Sequence, residues 1–277
     1  MLKKLFRQEW KSFSFAPMIA MIVLAVVTLI LMSSFMTSFW EQDNIFVNLF
    51  ASLTFLAYAF ALAALSFCVT LCTAIRFYKN FFTDEGYLMF TLPVKTSDLL
   101  LSKIFVAALW KLVSVAAITI SVLVIATVGF SYLSDTSVIR FFEEFFDLFA
   151  LAIEEMRDAL AIPVSMFFLW LILLGICSLF YNILFIYACI CLGQLWNKHK
   201  IGGAIVAYFG LRFVLRMFRQ ILSIPLSNFY SSYYDFDNIS TGTWLFGMFI
   251  SLLIMGGLCV GLYWICSYIM SRKLNLD

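Results

Sequence analysis

Residues 17–36 read PMIAMIVLAVVTLILMSSFM, twenty residues without a charged side chain. As a helix this run rises about 30 Å, the thickness of a bilayer's hydrocarbon core. Five further apolar segments follow, over residues 46–75, 104–130, 163–192, 201–222 and 244–270. Each reaches the ~20 residues that a spanning helix needs, and several are long enough to tilt or to project beyond the lipid. Composition agrees. Hydrophobic residues make up 64% of the chain and charged residues 12%, with a mean hydropathy of +1.01. That charged fraction is about half the globular norm, and a soluble chain this apolar would have nothing to cover its surface. A β-barrel is excluded, because its strands would alternate polar and apolar residues. The sequence predicts an all-α integral membrane protein with six transmembrane helices over residues 17–277.

Lys and Arg set the expected orientation. With the N-terminus in the cytoplasm, the inner loops and termini hold Lys3, Lys4, Arg7, Lys11, Arg76, Lys79, Lys95, Lys103, Lys198, Lys200, Arg272 and Lys273. The outer loops hold only Arg140 and Arg157. This bias places both termini inside. Residues 1–16 carry Leu2, Leu5, Phe6 and Trp10 on one helical stripe, with the bases elsewhere, and read as an amphipathic helix on the inner leaflet. Residues 131–162 form the largest outer connection. Phe142, Phe145, Phe146, Phe149 and Ile153 alternate there with Glu143, Asp147, Glu154 and Asp158 near helical spacing. This predicts an external helix, half-buried in the outer leaflet or against neighbouring spans. A second outer loop, polar and tyrosine-rich, is expected after a break at Pro225. The first apolar run is too long for a signal peptide, with no small-residue cleavage motif after it. All seven cysteines fall inside predicted spans, where they read as small hydrophobes.

Enzymatic chemistry is not apparent. There is no P-loop, no H-E-x-x-H and no nucleophile elbow. The single histidine, His199, sits in a short KHK loop, and the spans hold almost no acid. What stands out is the fifth segment, AYFGLRFVLRMFRQIL. Arg212, Arg216 and Arg219 fall at i, i+4 and i+7, within an arc of about 60°, and Tyr208 extends the stripe. Counted from Ile201, Arg212 lies about 17 Å deep, near the bilayer centre. An arginine there costs at least about 2.5–3.5 kcal/mol, so three on one face should not point at lipid. The stripe lines a hydrated substrate cavity, or pairs with acids such as Glu154, Glu155 or Asp158, or sends Arg216 and Arg219 to the outer headgroups. A voltage sensor would repeat arginine every third residue. Gly257 and Gly261, beside Gly256, form a G-x-x-x-G in the last span and are expected to pack within the chain, with dimerisation as the alternative. No internal repeat relates the two halves, which counts against a secondary transporter.

Between the second and third spans lies RFYKNFFTDEGYLMFTLPVKTSDLLLSK, residues 76–103. It is too charged to cross a bilayer. Thr83-Asp84-Glu85-Gly86 makes a cap and a break, and Tyr87, Leu88, Phe90 and Leu92 give a short apolar surface that Pro93 ends. Thr96-Ser97-Asp98 then caps a new helix that leads through Lys103 into the third span. Aromatics beside carboxylates on a cytosolic surface are what a docking site presents.

The run DEGYLMFTLPVKTSDLLLSK resembles the cytoplasmic loop of bacterial ABC exporter permeases of the type V architecture, particularly the short permeases of Firmicutes. Six spans, cytoplasmic termini and an amphipathic helix before the first span extend the resemblance over nearly the whole chain. Permeases of this class often carry re-entrant external helices between the last two spans; here the large external helix follows the third. The resemblance implies a location in the bacterial cytoplasmic membrane. It implies a coupling helix in the 76–103 loop that docks on a separate ATPase, with Asp84, Glu85, Gly86, Tyr87, Phe90, Leu92 and Pro93 as coupling residues. It implies two ATPase subunits and a second permease chain, identical or homologous. ATP and Mg would bind the partner ATPase, with no cofactor, metal or nucleic acid in this chain. Tyr208, Arg212, Arg216 and Arg219 are the expected substrate pathway, for an amphiphile such as an antimicrobial peptide, drug or lipid. The competing expectations are an anion channel or secondary carrier built on the arginine stripe, and a non-transporting sensor or assembly factor.

Overall fold

The structure, a computed structural model, describes residues 2–36, 45–83, 86, 96–134, 137–159, 162–196, 200–232 and 241–272. Every regular element among them is a helix: α1 Leu2–Phe13, α2 Phe15–Met36, α3 Ile45–Phe82, α4 Thr96–Ser134, α5 Val138–Ala159, α6 Val164–Gly193, α7 Lys200–Ser232 and α8 Thr241–Arg272. Six of them, α2, α3, α4, α6, α7 and α8, are long and apolar enough to cross a bilayer, so this is a multi-pass membrane protein. In a bilayer a helix satisfies all its backbone groups internally, which is why apolar runs of this length fold as helices.

Helices α3 and α4 overrun the predicted spans. They have 38 and 39 residues, about 57 Å each, against a hydrocarbon core of about 30 Å. The expected break at Pro225 is not there, since α7 continues to Ser232. Pro225 is 25 residues from Lys200, about 37 Å along the helix and past the apolar core. The carbonyl it leaves without a partner can meet water there, so the proline does not end the helix.

The chain divides into two compact units, one of residues 1–76 and 105–152, the other of 77–104 and 153–277. In the first, Leu24 and Leu31 of α2 pack with Tyr58, Ala61, Leu65 and Val69 of α3, and Ala117, Ile118 and Ile125 of α4 close the cluster. Lipid competes for these side chains as well as protein does, so packing and hydrogen bonds select the partners. Ser121 of α4 supplies two such bonds, with Thr28 of α2 at 2.8 Å and Tyr58 of α3 at 3.0 Å. One buried hydroxyl thus pins three spans. Helix α1 folds onto the same unit. Trp10 stacks on Trp110 of α4 at 4.9 Å, and Phe13 is buried beside them. Glu9, off the apolar stripe, meets Arg76 of α3 at 3.5 Å. In α5 the rings of Phe141, Phe145 and Phe149 stack along the helix, and Phe142, Phe145, Phe146 and Phe149 remain exposed.

In the second unit α6 is the central element, packed against both α7 and α8. Trp170 of α6 donates to Ser251 of α8 at 3.0 Å, and the Cys259 thiol of α8 donates to the Cys177 carbonyl of α6 at 3.5 Å. The turn after α6 is tight. A Cβ on Gly193 would lie 2.5 Å from the Ala204 backbone nitrogen, and one on Gly203 would lie 2.9 Å from the Gly193 carbonyl oxygen. The two helices therefore approach backbone to backbone, which glycine alone permits. The G-x-x-x-G expectation is corrected: a Cβ at Gly256, Gly257 or Gly261 would meet nothing within 4 Å. The close approach that small residues allow is used at Gly193 and Gly203 instead, where a short turn forces the two helices together.

Candidate functional site

The short turn sets the register of α6 against α7. Gly193 meets Ala204, so residues equally far from these two are opposite one another in an antiparallel pair. Phe185 lies eight residues before Gly193 and Arg212 eight after Ala204. By the same count Asn182 faces Leu215, and Tyr181 faces Arg216. These six residues and Arg219 line one cavity of ≈ 340 Å³. Tyr181 is 12 residues from the end of α6, and Arg212 is 12 from the start of α7. The cavity thus begins, at Phe185 and Arg212, about 12 Å along the helices from the Gly193–Ala204 crossing, well inside both spans.

Aromatic rings, rather than carboxylates, hold Arg212 and Arg219. The Arg212 guanidinium donates to the Tyr208 hydroxyl at 2.6 Å and lies 5.7 Å from the centre of that ring. Arg219 lies 6.0 Å from the centre of the Tyr181 ring. Contacts of this kind stabilise a cation without cancelling its charge. Arg219 therefore leans back along α7, toward the helix N-terminus as helical side chains do, to a ring of α6. The pairing with acids is not formed: among the described residues no carboxylate, Glu154 and Glu155 included, lies within ion-pair distance of Arg212, Arg216 or Arg219. The Asp158 side chain lies outside the described residues. Phe185 packs edge-on to Tyr208 at 5.3 Å and closes the cavity toward the Gly193 end of α6. The result is a basic, aromatic-walled recess with no acidic residue in its lining among the described residues.

The sequence singled out Tyr208, Arg212, Arg216 and Arg219; the three arginines line the cavity, and Tyr208, which bonds Arg212, lies outside its lining. The structure adds Tyr181, Asn182 and Phe185, which hydropathy could not single out within an apolar span. Lys111, inside α4 and half-buried, is a further span cation that the sequence reading passed over; it does not line this cavity. Of the loop residues, Asp84, Glu85, Tyr87, Phe90, Leu92 and Pro93 lie outside the described residues. Gly86 is buried, and its N–H donates to the Thr83 carbonyl at 2.7 Å. A Cβ there would come within 2.6 Å of the Phe81 carbonyl oxygen, so Gly86 lies close against the end of α3. Among the described residues no group of three His, Cys, Asp or Glu is placed to hold a metal.

No family model, curated protein or solved structure matches this chain. The fold and the site define the class: a multi-pass helical membrane protein with a cationic recess between two of its spans.

Proposed function

We propose that this chain is the permease subunit of an ATP-driven ABC exporter in a bacterial cytoplasmic membrane, with both termini inside. Two copies of a separate ATPase bind ATP and Mg and dock on the 76–103 loop, and a second permease chain completes the transporter. An amphiphilic substrate meets the recess lined by Arg212, Arg216 and Arg219. The loop motif motivates the reading, and one structural observation supports it: the roots of the loop are packed as tightly as a core. Phe77, Phe81, Leu99 and Leu100 are each no more than 1% exposed. Phe77 stacks face to face on Tyr187 of α6 at 3.8 Å, and the Tyr187 hydroxyl donates to the Lys103 carbonyl at 3.5 Å. Lys103 lies over the Phe81 ring at 5.2 Å. A loop that only joined two spans would need no such footing. Tyr187 is two residues from Phe185 in the wall of the recess, so a push on the loop reaches the site through one helix.

The test is a pull-down of the tagged chain, comparing wild type with D84K/E85K. An ATPase that copurifies with wild type and is lost from the variant supports the reading. Wild type without any ATPase refutes it. The recess by itself favours a second reading, an anion channel or carrier, which would pass anions across liposomes without ATP. A sensor or assembly factor would bind partners and move nothing.

A further inference from the structure

We infer that the recess between α6 and α7 binds a phosphate group, carried by a lipid headgroup or free in solution; this deepens the substrate contact proposed above and rests on it. Three guanidinium groups converge on the cavity, and among the described residues none of its lining is acidic. Arg212 uses one N–H on Tyr208, and its remaining donors are uncommitted among the described residues. Arg216 and Arg219 make no hydrogen bond or ion pair there. The charge complement that this array lacks is an anion.

The number of arginines selects the kind of anion. A carboxylate has two oxygens in one plane, and the fork of a single guanidinium satisfies it. Arg212 and Arg219 are seven residues apart, about 10 Å along the helix, with Arg216 between them. Arms that arrive from different heights suit a tetrahedral group whose oxygens point in several directions. Phosphate has that shape and carries up to two charges. The cavity, at ≈ 340 Å³, is at the small end of ligand pockets and suits a headgroup better than a whole amphiphile. Arg212, Arg216, Arg219 and Asn182 are exposed on the flank of the chain. The apolar residues beside them, Phe209, Phe213 and Met217, are exposed as well. A lipid can therefore seat its headgroup in the recess and leave its tails in the hydrocarbon.

The test uses the full chain, without any ATPase, in nanodiscs of phosphatidylcholine with a minor fraction of phosphatidic acid. Native mass spectrometry counts the phosphatidic acid retained on the released protein. Wild type is expected to retain it selectively, and R212Q/R216Q to lose that selectivity by about tenfold or more, as the loss of charge-assisted hydrogen bonds requires. Replacing a span arginine with glutamine eases insertion, and an unfolding midpoint equal to that of wild type shows that a loss of retention is not misfolding. K111Q, which removes a span charge outside the recess, should leave retention unchanged. Inorganic phosphate is the second probe. If it displaces the lipid from wild type, the site takes the phosphate group from either source; if it does not, the lipid is the ligand. The inference is overturned if wild type retains no phosphatidic acid and binds no phosphate, if R212Q/R216Q retains as much as wild type, or if K111Q loses as much as the double variant. Retention here together with a pull-down that recovers no ATPase would sink the exporter and keep the phosphate site; an ATPase recovered in the pull-down without retention here would do the reverse.

Discussion

Gly193→Ala adds one methyl group where α6 and α7 touch. In place, that methyl would lie 2.5 Å from the backbone nitrogen of Ala204, 2.6 Å from its Cα and 2.7 Å from its Cβ. Ordinary contact between such atoms is about 3.5–4.0 Å, so the helices must part by about 1 Å. Neither side can yield by rotating a side chain, because the neighbours are backbone and a methyl. Overpacking of this kind costs about 1–3 kcal/mol. Gly175 is the internal control. It lies on the same helix, and a Cβ there would meet nothing within 4 Å. Gly175→Ala should therefore gain the helix propensity of alanine, about 0.5–1 kcal/mol. The two variants should differ in stability by about 1.5–4 kcal/mol, read as unfolding midpoints in the same detergent. The geometry makes a second demand. Asn182 and Leu215 face each other across the recess, so cysteines placed at both positions should crosslink in the wild-type background and less readily with Gly193→Ala. Equal stability of the two alanine variants would refute the close crossing. Unchanged crosslinking would refute the register built on it.

Arg76→Gln should remove the guanidinium that meets the Glu9 carboxylate, whose side chain is 9% exposed. Docking of α1 should weaken by about 1.5–3 kcal/mol, seen as faster proteolysis within residues 2–13; Glu9→Gln, which removes the buried charge itself, should cost less. If both variants resist proteolysis as wild type does, the ion pair does not hold the helix. Ser121→Ala removes both bonds that tie α4 to Thr28 and Tyr58 and should destabilise by about 0.6–1.7 kcal/mol. Tyr58→Phe in the alanine background should then cost little more; a full additive loss would show that the two hydroxyls do not act through Ser121.

Much of the architecture is legible in the sequence because the bilayer leaves few solutions. An uncharged run such as residues 17–36 must be a helix, since no other lone segment satisfies its backbone in lipid. Arginines at i, i+4 and i+7 share a face whatever surrounds them, so Arg212, Arg216 and Arg219 could be grouped from spacing alone. Proline signals carry less. Pro225 marks a lost hydrogen bond but not where the helix stands in the membrane, and it is the position beyond the core that lets α7 run on. Glu9 was one charge among several in a basic segment, and only the fold of α1 onto α3 gives it Arg76 as a partner.

The sequence by itself determined the six apolar helices and the cationic stripe, because both follow from local periodicity and from the cost of polar groups in hydrocarbon. The tertiary structure decided what the stripe meets. Tyr181, Asn182 and Phe185 are ordinary residues of an apolar span until the Gly193–Ala204 crossing sets them opposite the arginines. The glycines of the last span show the same division. A small-residue motif states that a close approach is possible, whereas the position of a partner depends on turn length and register. Those are contacts between segments distant along the chain, and no single segment encodes them.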